Sequence, residues 1–272
     1  MTKSSQENNS ASWNYAEIWD KFPVPARPSK EELAYLEKEW RARKPRTLLI
    51  LGSTIEYRSL AKKLGIVPTV MDFKKEHYDT LTHYASESFS NEQFIEADWL
   101  SLADEKKYDV IVGHRAINVI AHTELETFFQ KMHRALKPGG VFYCKGNIRK
   151  RSEPDRLDVL IETWAKKPDR AYPLFSYIEV ALYFRCADEH GYVEYPKARA
   201  LVDAWREEQK ITQEDYELIR LLVSMSSDAR FRGTIYDDDV RAAITRAGFA
   251  KSEWIVKDKD ICSHMPIIVL TK

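Results

Sequence analysis

RTLLILGSTIEYRSLAKKLG, residues 46–65, decides how the chain is read. Apolar or β-branched residues run from Thr47 to Leu51 and lead into Gly52; a helix-like pattern then continues to Gly65. Such a run bounded by glycines predicts a buried strand, a turn and a helix. A nucleotide-binding turn at this place usually carries two or three glycines. Here Gly52 stands alone, with Thr54 and Glu56 where the next two would be. The turn is either an ordinary strand-to-helix connection or a binding loop with different chemistry.

Outward from that turn the pattern alternates. IVPTVMD (66–72), QFIEAD (93–98), YDVIVG (108–113) and VFYCKG (141–146) read as further strands, with KEHYDTLTHYA and TELETFFQKMHRALK (123–137) as helices between them. Pro68 falls early in its strand, where a missing donor is tolerated. Strand–helix alternation predicts parallel strands with right-handed crossovers and helices on both faces. FAKSEWIVKD and MPIIVLTK add two closing strands, which makes a mostly parallel seven-stranded α/β sheet. Sheets of this kind bind ligands beyond the carboxyl ends of their strands.

Five blocks follow. Residues 1–11 read as a disordered tail, and 12–45 as a helical lid of two aromatic helices separated by PVPARPS (23–29). Ser29 is placed to cap the second of these, with Glu32 at the capping-box position. Residues 46–150 form the core; 151–245 are helix-like throughout and predict a substrate-selecting insertion; 246–272 return to the sheet.

Composition narrows the function. Lys plus Arg and Asp plus Glu number 42 each, so a broad nucleic-acid footprint is disfavoured. Cys144, Cys186 and Cys262 lack ligand-like spacing, which argues against a metal site and for a reducing compartment. The polar start MTKSSQENNSAS lacks the apolar core of a signal peptide, and no run approaches the ~20 apolar residues of a membrane span. These features predict a soluble cytoplasmic protein and leave a homodimer open.

Asp72 ends the second strand 20 residues after Gly52, a spacing that suits a carboxylate accepting hydrogen bonds from a ribose diol. It equally suits a helix cap. Asp98, at the end of the third strand, with Trp99 beside it, can hold an adenine by its amine and its face, or serve as turn former and core filler. Each signal is weak singly; their common register is the argument.

LLILGSTIE, VMDFKKE, FIEADWLSL, YDVIVGHRAINVI and FFQKMHRALKPGGVFYCKG resemble, in order, the sequence blocks of class I S-adenosylmethionine-dependent methyltransferases, over about residues 46–147. LGSTIE preceded by IWDKFPVPARPSKEEL is similar to a bacterial subgroup whose glycine-rich loop is a Gly-x-Thr-x-Glu turn. The acid usually found two residues before the first glycine is Ile50 here. The resemblance implies a Rossmann-like fold and S-adenosylmethionine as cofactor, with in-line methyl transfer to a small-molecule or peptide acceptor. It implies that Gly52, Ser53 and Thr54 line the methionine portion, that Asp72 takes the ribose and Phe73 lies against adenine, and that Asp98 and Trp99 close the base pocket. Glu56 either pairs with the ammonium or favours its helix N-terminus as acids do. Gly113, His114 and Arg115 follow the fourth strand, where such enzymes face the methyl. Trp13, Tyr15, Trp19 and Arg27 either fold over the ligand or simply pack.

A general base is needed only for a hydroxyl or a charged amine. His114 is the first candidate, against a turn histidine, and His264 the second; Tyr183, Arg185 and His190 of the insertion are placed to meet an acceptor. Two other readings stay open. A nicotinamide-dependent oxidoreductase needs a glycine-rich loop that this chain lacks, and a non-catalytic binding or scaffold protein of the same fold fits the degenerate turn.

Overall fold

A computed structural model describes residues 15–85, 88–167, 171–224, 231–257 and 259–272. After a 3-10 helix at Tyr15–Lys21, the chain forms α1 (Lys30–Arg43), β1 (Leu48–Leu51), α2 (Ile55–Lys63), β2 (Pro68–Asp72), α3 (Lys75–Tyr84), β3 (Gln93–Glu96) and β4 (Tyr108–Gly113). Then come α4 (Leu125–Ala135), β5 (Leu136–Lys145), the short β6 (Ile148–Arg149), and helices α5 (Leu157–Ala165), α6 (Leu174–Arg185), α7 (Tyr195–Glu207) and α8 (Gln213–Leu222). The chain closes with β7 (Ile235–Tyr236), α9 (Asp237–Ala247), β8 (Lys251–Ile255), α10 (Lys259–Cys262) and β9 (Ile267–Thr271).

Seven strands make one sheet in the order β3-β2-β1-β4-β5-β9-β8. β1 to β5 pair in parallel, and β9 runs antiparallel to both β5 and β8. The chain leaves β1 for β2 on one side and later returns to its other side as β4, so a crevice opens at the carboxyl ends of these strands. All four residues of β1 are buried because parallel sheets are covered on both faces. Successive side chains point to opposite faces. Leu48 and Ile50 accordingly join a core with α1 and α2, while Leu49 and Leu51 join a second core with α4 and α9.

Three expectations change. α1 is no lid: its Leu36 and Trp40 are buried against β1 and α2, as hydrophobic burial of a helix face requires. α9, expected in the insertion, packs through Val240, Ala243 and Ile244 into the core of the sheet. The helix expected over 123–137 ends at Ala135, and Leu136 already pairs with Tyr108, so Lys137–Gly140 lie in a register shift of β5 instead of a turn. Helices α5 to α8 build a separate core around Phe175, Tyr195 and Trp205. That insertion is stitched to the sheet by the parallel β6–β7 pair, which a purely helical reading of 151–245 overlooks. No helix among the described residues is long and apolar enough to cross a membrane.

Candidate active site

The turn after β1 is tight. Gly52 has φ +83, a left-handed backbone that glycine adopts without steric cost, and its N–H donates to Met71 O at 2.8 Å. The Trp99 indole N–H donates to the same carbonyl at 2.7 Å. A side chain on Gly52 would meet that indole, because a Cβ there lies 3.7 Å from Trp99 Cζ2. Trp99 is thus a buried brace beneath the turn, which corrects its expected role on the open face of a base. Asp98 is exposed and caps the 3-10 helix Trp99–Ser101 by accepting from Leu100 N at 2.8 Å, so its turn-forming reading is the one observed.

Asp72 ends β2 almost fully buried, accepting from Ser53 Oγ at 2.6 Å and from Phe73 N at 2.8 Å. Burial pushes its carboxyl above the usual range, and the hydrogen bonds from Ser53 and the backbone offset only part of that rise. Phe73 beside it is 54% exposed, its ring presented to solvent although large and apolar. Thr54 is the N-cap residue of α2 without a side-chain capping bond. Glu56, in the first turn of α2, pairs through Oε1 with Arg27 Nε at 2.7 Å, while its Oε2 is buried with no hydrogen-bond partner. A lone-pair-bearing oxygen left in that state invites a cation or another donor.

Residues 15–28 do cross this end of the sheet. Trp19 packs against Leu81 and Ile55, Arg27 Nη1 donates to Trp19 O, and Ala26 O lies 3.1 Å from His114 Nε2. Trp13 and the side chain of Tyr15 fall outside the described residues.

His114 is a correction. Its Nε2 faces Ala26 O, its Nδ1 lies 3.6 Å from Glu32 Oε1, and its side chain is buried. Burial lowers its pKa, which the nearby Glu32 carboxylate only partly reverses. Nε2 is taken by a backbone carbonyl and Nδ1 is enclosed without a hydrogen-bond partner, so the base role expected for it does not follow from the geometry.

Around it stands a cluster the sequence reading missed. The Glu32 carboxylate accepts from Tyr57 Oη and from Lys145 Nζ at the end of β5. Ser29 Oγ does cap α1 on Glu32 N at 3.1 Å, but the Glu32 side chain turns into this network, overturning half of the expected capping box. The capping assignment had already given Glu32 a partner, and nothing local in KGNIR marks Lys145; only the topology brings them together.

Gly113 lies under the next turn, where a Cβ would come within 2.8 Å of Ala116 Cβ. Arg115 has φ +56 and pairs with buried Glu179 of α6 at 2.7 Å, tying the core to the insertion. Tyr183 is buried in the insertion core; Arg185 pairs with Asp155 and Asp158; His190 is exposed beside Glu189. None of the three reaches the crevice through these contacts. His264 lies 3.2 Å from Glu153, away from Asp72 and Glu56 in the network of contacts.

Residues 51–140 match the family described as "Methyltransferase domain". That stretch, about a third of the chain, is similar to the methyltransferase domain, and the seven-stranded sheet around it is the fold of class I methyltransferases. The cofactor of that family is S-adenosylmethionine. No curated protein matches the chain. Solved structures with the same fold include a protein from Rhodobacter sphaeroides provisionally described as a Zn-dependent alcohol dehydrogenase (17% identity, TM-score 0.56, 94% of this chain and 95% of that one). Another is the Burkholderia thailandensis 1,6-didemethyltoxoflavin-N1-methyltransferase with bound 1,6-didemethyltoxoflavin and S-adenosylhomocysteine (12%, 0.50, 97% and 84%). A third is the S-adenosylmethionine-dependent methyltransferase SibL (13%, 0.50; 88% of this chain and 54% of that one). At these identities the likeness is one of fold. Among the described residues no three His, Cys, Asp or Glu side chains are grouped as a metal site needs.

Proposed function

We propose that the protein transfers a methyl group from S-adenosylmethionine to a small-molecule or peptide acceptor that the α5–α8 insertion selects. The observation that carries the reading is the half-used Glu56 carboxylate: one oxygen on Arg27, the other buried and unpartnered at the turn after β1. A methionine ammonium is the cation that such an oxygen would take. Asp72, fixed by Ser53 and by the Phe73 amide, would accept from the ribose diol, and exposed Phe73 would lie against the base. Gly52, Ser53 and Thr54 would line the stretch between them.

When bound, the cofactor supplies an electrophilic methyl on a sulfonium. What this chain adds is placement, and alignment alone contributes much of the rate of such a displacement. Residues 15–28 lie across Glu56 and His114, where they would keep water from the crevice. Glu56 also argues against a pyrophosphate-bearing cofactor, since a buried carboxylate at a helix start repels phosphate. Titration with S-adenosylmethionine, S-adenosylhomocysteine and NAD tests the reading. Binding of the first two and indifference to NAD is the expected result. Binding without turnover on any acceptor from a broad panel would support the scaffold alternative instead.

A further inference from the structure

A second cavity, of about 100 Å³, lies past the carboxyl end of β5, between β6, the segment leading into α5, the first turns of α6, and α10. Ile148 N donates to His264 O at 2.7 Å and holds its two sides together. Arg149 lines it and is only 4% exposed. The hydrogen bonds of its guanidinium both leave from Nη2, to Glu153 O at 3.2 Å and Pro154 O at 2.8 Å. Nε has no hydrogen-bond partner, and the nearest acid oxygen, Glu153 Oε2, stands off at 3.7 Å. The guanidinium is clamped over the Phe184 ring, 3.7 Å from its centroid. Its position is therefore fixed while part of its donor set goes unused.

Three further features point the same way. Arg156 lines the exposed rim of this cavity, so two arginines stand against one glutamate. That excess is not cancelled by Glu179, which Arg115 occupies, and burial lowers the His264 pKa toward the neutral form. Ser176, in the first turn of α6, is buried with its hydroxyl unpartnered. Leu160, Val180, Ala181 and Ile261 supply an apolar stretch of the wall, beside Tyr177 and Ser263.

We propose that this cavity binds a small organic acid: its carboxylate on Arg149, Arg156 and Ser176, its short apolar body against the α6–α10 wall. A buried guanidinium with free donors is suited to a carboxylate, which it recognises by shape as well as charge. The apolar wall favours a carboxylate with a hydrocarbon body over inorganic phosphate.

The acid is either the carboxylate end of the methyl acceptor, which rests on the function proposed above, or a separate ligand. Calorimetry on the full chain with isovalerate and its uncharged analogue isovaleramide tests the site without turnover. Isovalerate is expected to bind, and isovaleramide and inorganic phosphate each at least tenfold more weakly. Arg149→Met is expected to lose at least tenfold in isovalerate affinity. Arg156→Gln, at the exposed rim and free of structural bonds, is expected to lose a measurable part with an unchanged Tm. Equal affinity for acid and amide, or wild-type affinity in Arg156→Gln together with a folded Arg149→Met, overturns the proposal. Incubation with S-adenosylmethionine and mass analysis of the recovered acid separates the sources: a methylated acid is an acceptor, an unchanged one a separate ligand. Adenosylhomocysteine titrated in the same instrument reports on the cofactor site independently, so failure of one reading is distinguishable from failure of the other.

Discussion

Ser53 Oγ donates to Asp72 Oδ2 at 2.6 Å and ties the turn after β1 to the end of β2. That bond fixes the carboxylate next to Gly52 and leaves it ionisable. A ribose hydroxyl donates to it more strongly when it is charged, and hydrogen bonds to charged groups contribute about 1.5–3 kcal/mol. Asp72→Asn should therefore weaken adenosylhomocysteine binding by roughly 10- to 100-fold. Because burial raises the Asp72 pKa, wild-type binding should begin to fail at a higher pH than an ordinary carboxylate would cause, and the Asn variant should lose that dependence. Unchanged affinity in Asp72→Asn would remove this residue from the site.

Glu56 separates the two ends of the cofactor. Glu56→Gln keeps the shape of the side chain and removes its charge, so the expected loss for adenosylhomocysteine is again about tenfold or more. Methylthioadenosine, which lacks the amino-acid end, should bind Glu56→Gln and wild type alike. Arg27→Gln should cost less than Glu56→Gln, since Arg27 holds Oε1 and the oxygen left for the ammonium, Oε2, keeps its charge. Equal losses for both ligands would assign Glu56 to holding the helix start and nothing more.

The sheet was legible because its central strands carry continuous apolar runs, as in LLIL of β1, and the closing strands carry enough β-branched residues to be found. The cofactor turn was legible through Gly52 and Asp72, whose separation follows from two adjacent parallel strands. Trp99 was misread because a tryptophan after a strand looks the same whether its face is open or its N–H is held by a backbone carbonyl. The grouping of Glu32 with Lys145 and His114 was hidden for a different reason. The latter two lie 113 and 82 residues from Glu32 along the chain, on elements that meet only once the sheet has formed. Short-range pattern had already explained Glu32 as a capping residue.

That buried cluster sets the acid behaviour of the fold. Burial pushes the Glu32 carboxyl up, but Lys145 and His114 outweigh it and hold it well below the usual carboxylate range. A depressed carboxyl contributes stability above its unfolded pKa of about 4.3 and loses it as pH falls below that value. His114, lowered by burial, adds stability above about 6.5 that is lost as pH falls through its folded value. Lys145→Met strands the carboxylate and should cost about 3–5 kcal/mol at neutral pH. With burial less opposed, Glu32 then becomes easier to protonate, so the gap between variant and wild type should narrow from pH 7 to pH 4. Denaturant melts across that range check the sign; a gap that widens toward acid would show that Glu32 and Lys145 are not coupled.

Gly113 tests the turn that follows β4. A Cβ there would lie 2.8 Å from Ala116 Cβ and 3.3 Å from Leu51 Cβ, both in the packed core. Neither neighbour is the tip of a flexible side chain, so the strand or the following 3-10 helix Ala116–Asn118 has to move. Overpacking of this kind costs about 1–3 kcal/mol. Arg115 begins that helix and holds Glu179, so the shift should also loosen the insertion from the core. Gly113→Ala is expected to lower Tm and to raise amide exchange in α6 more than in β1. A stability loss with α6 exchange unchanged would show that Arg115 does not transmit the displacement.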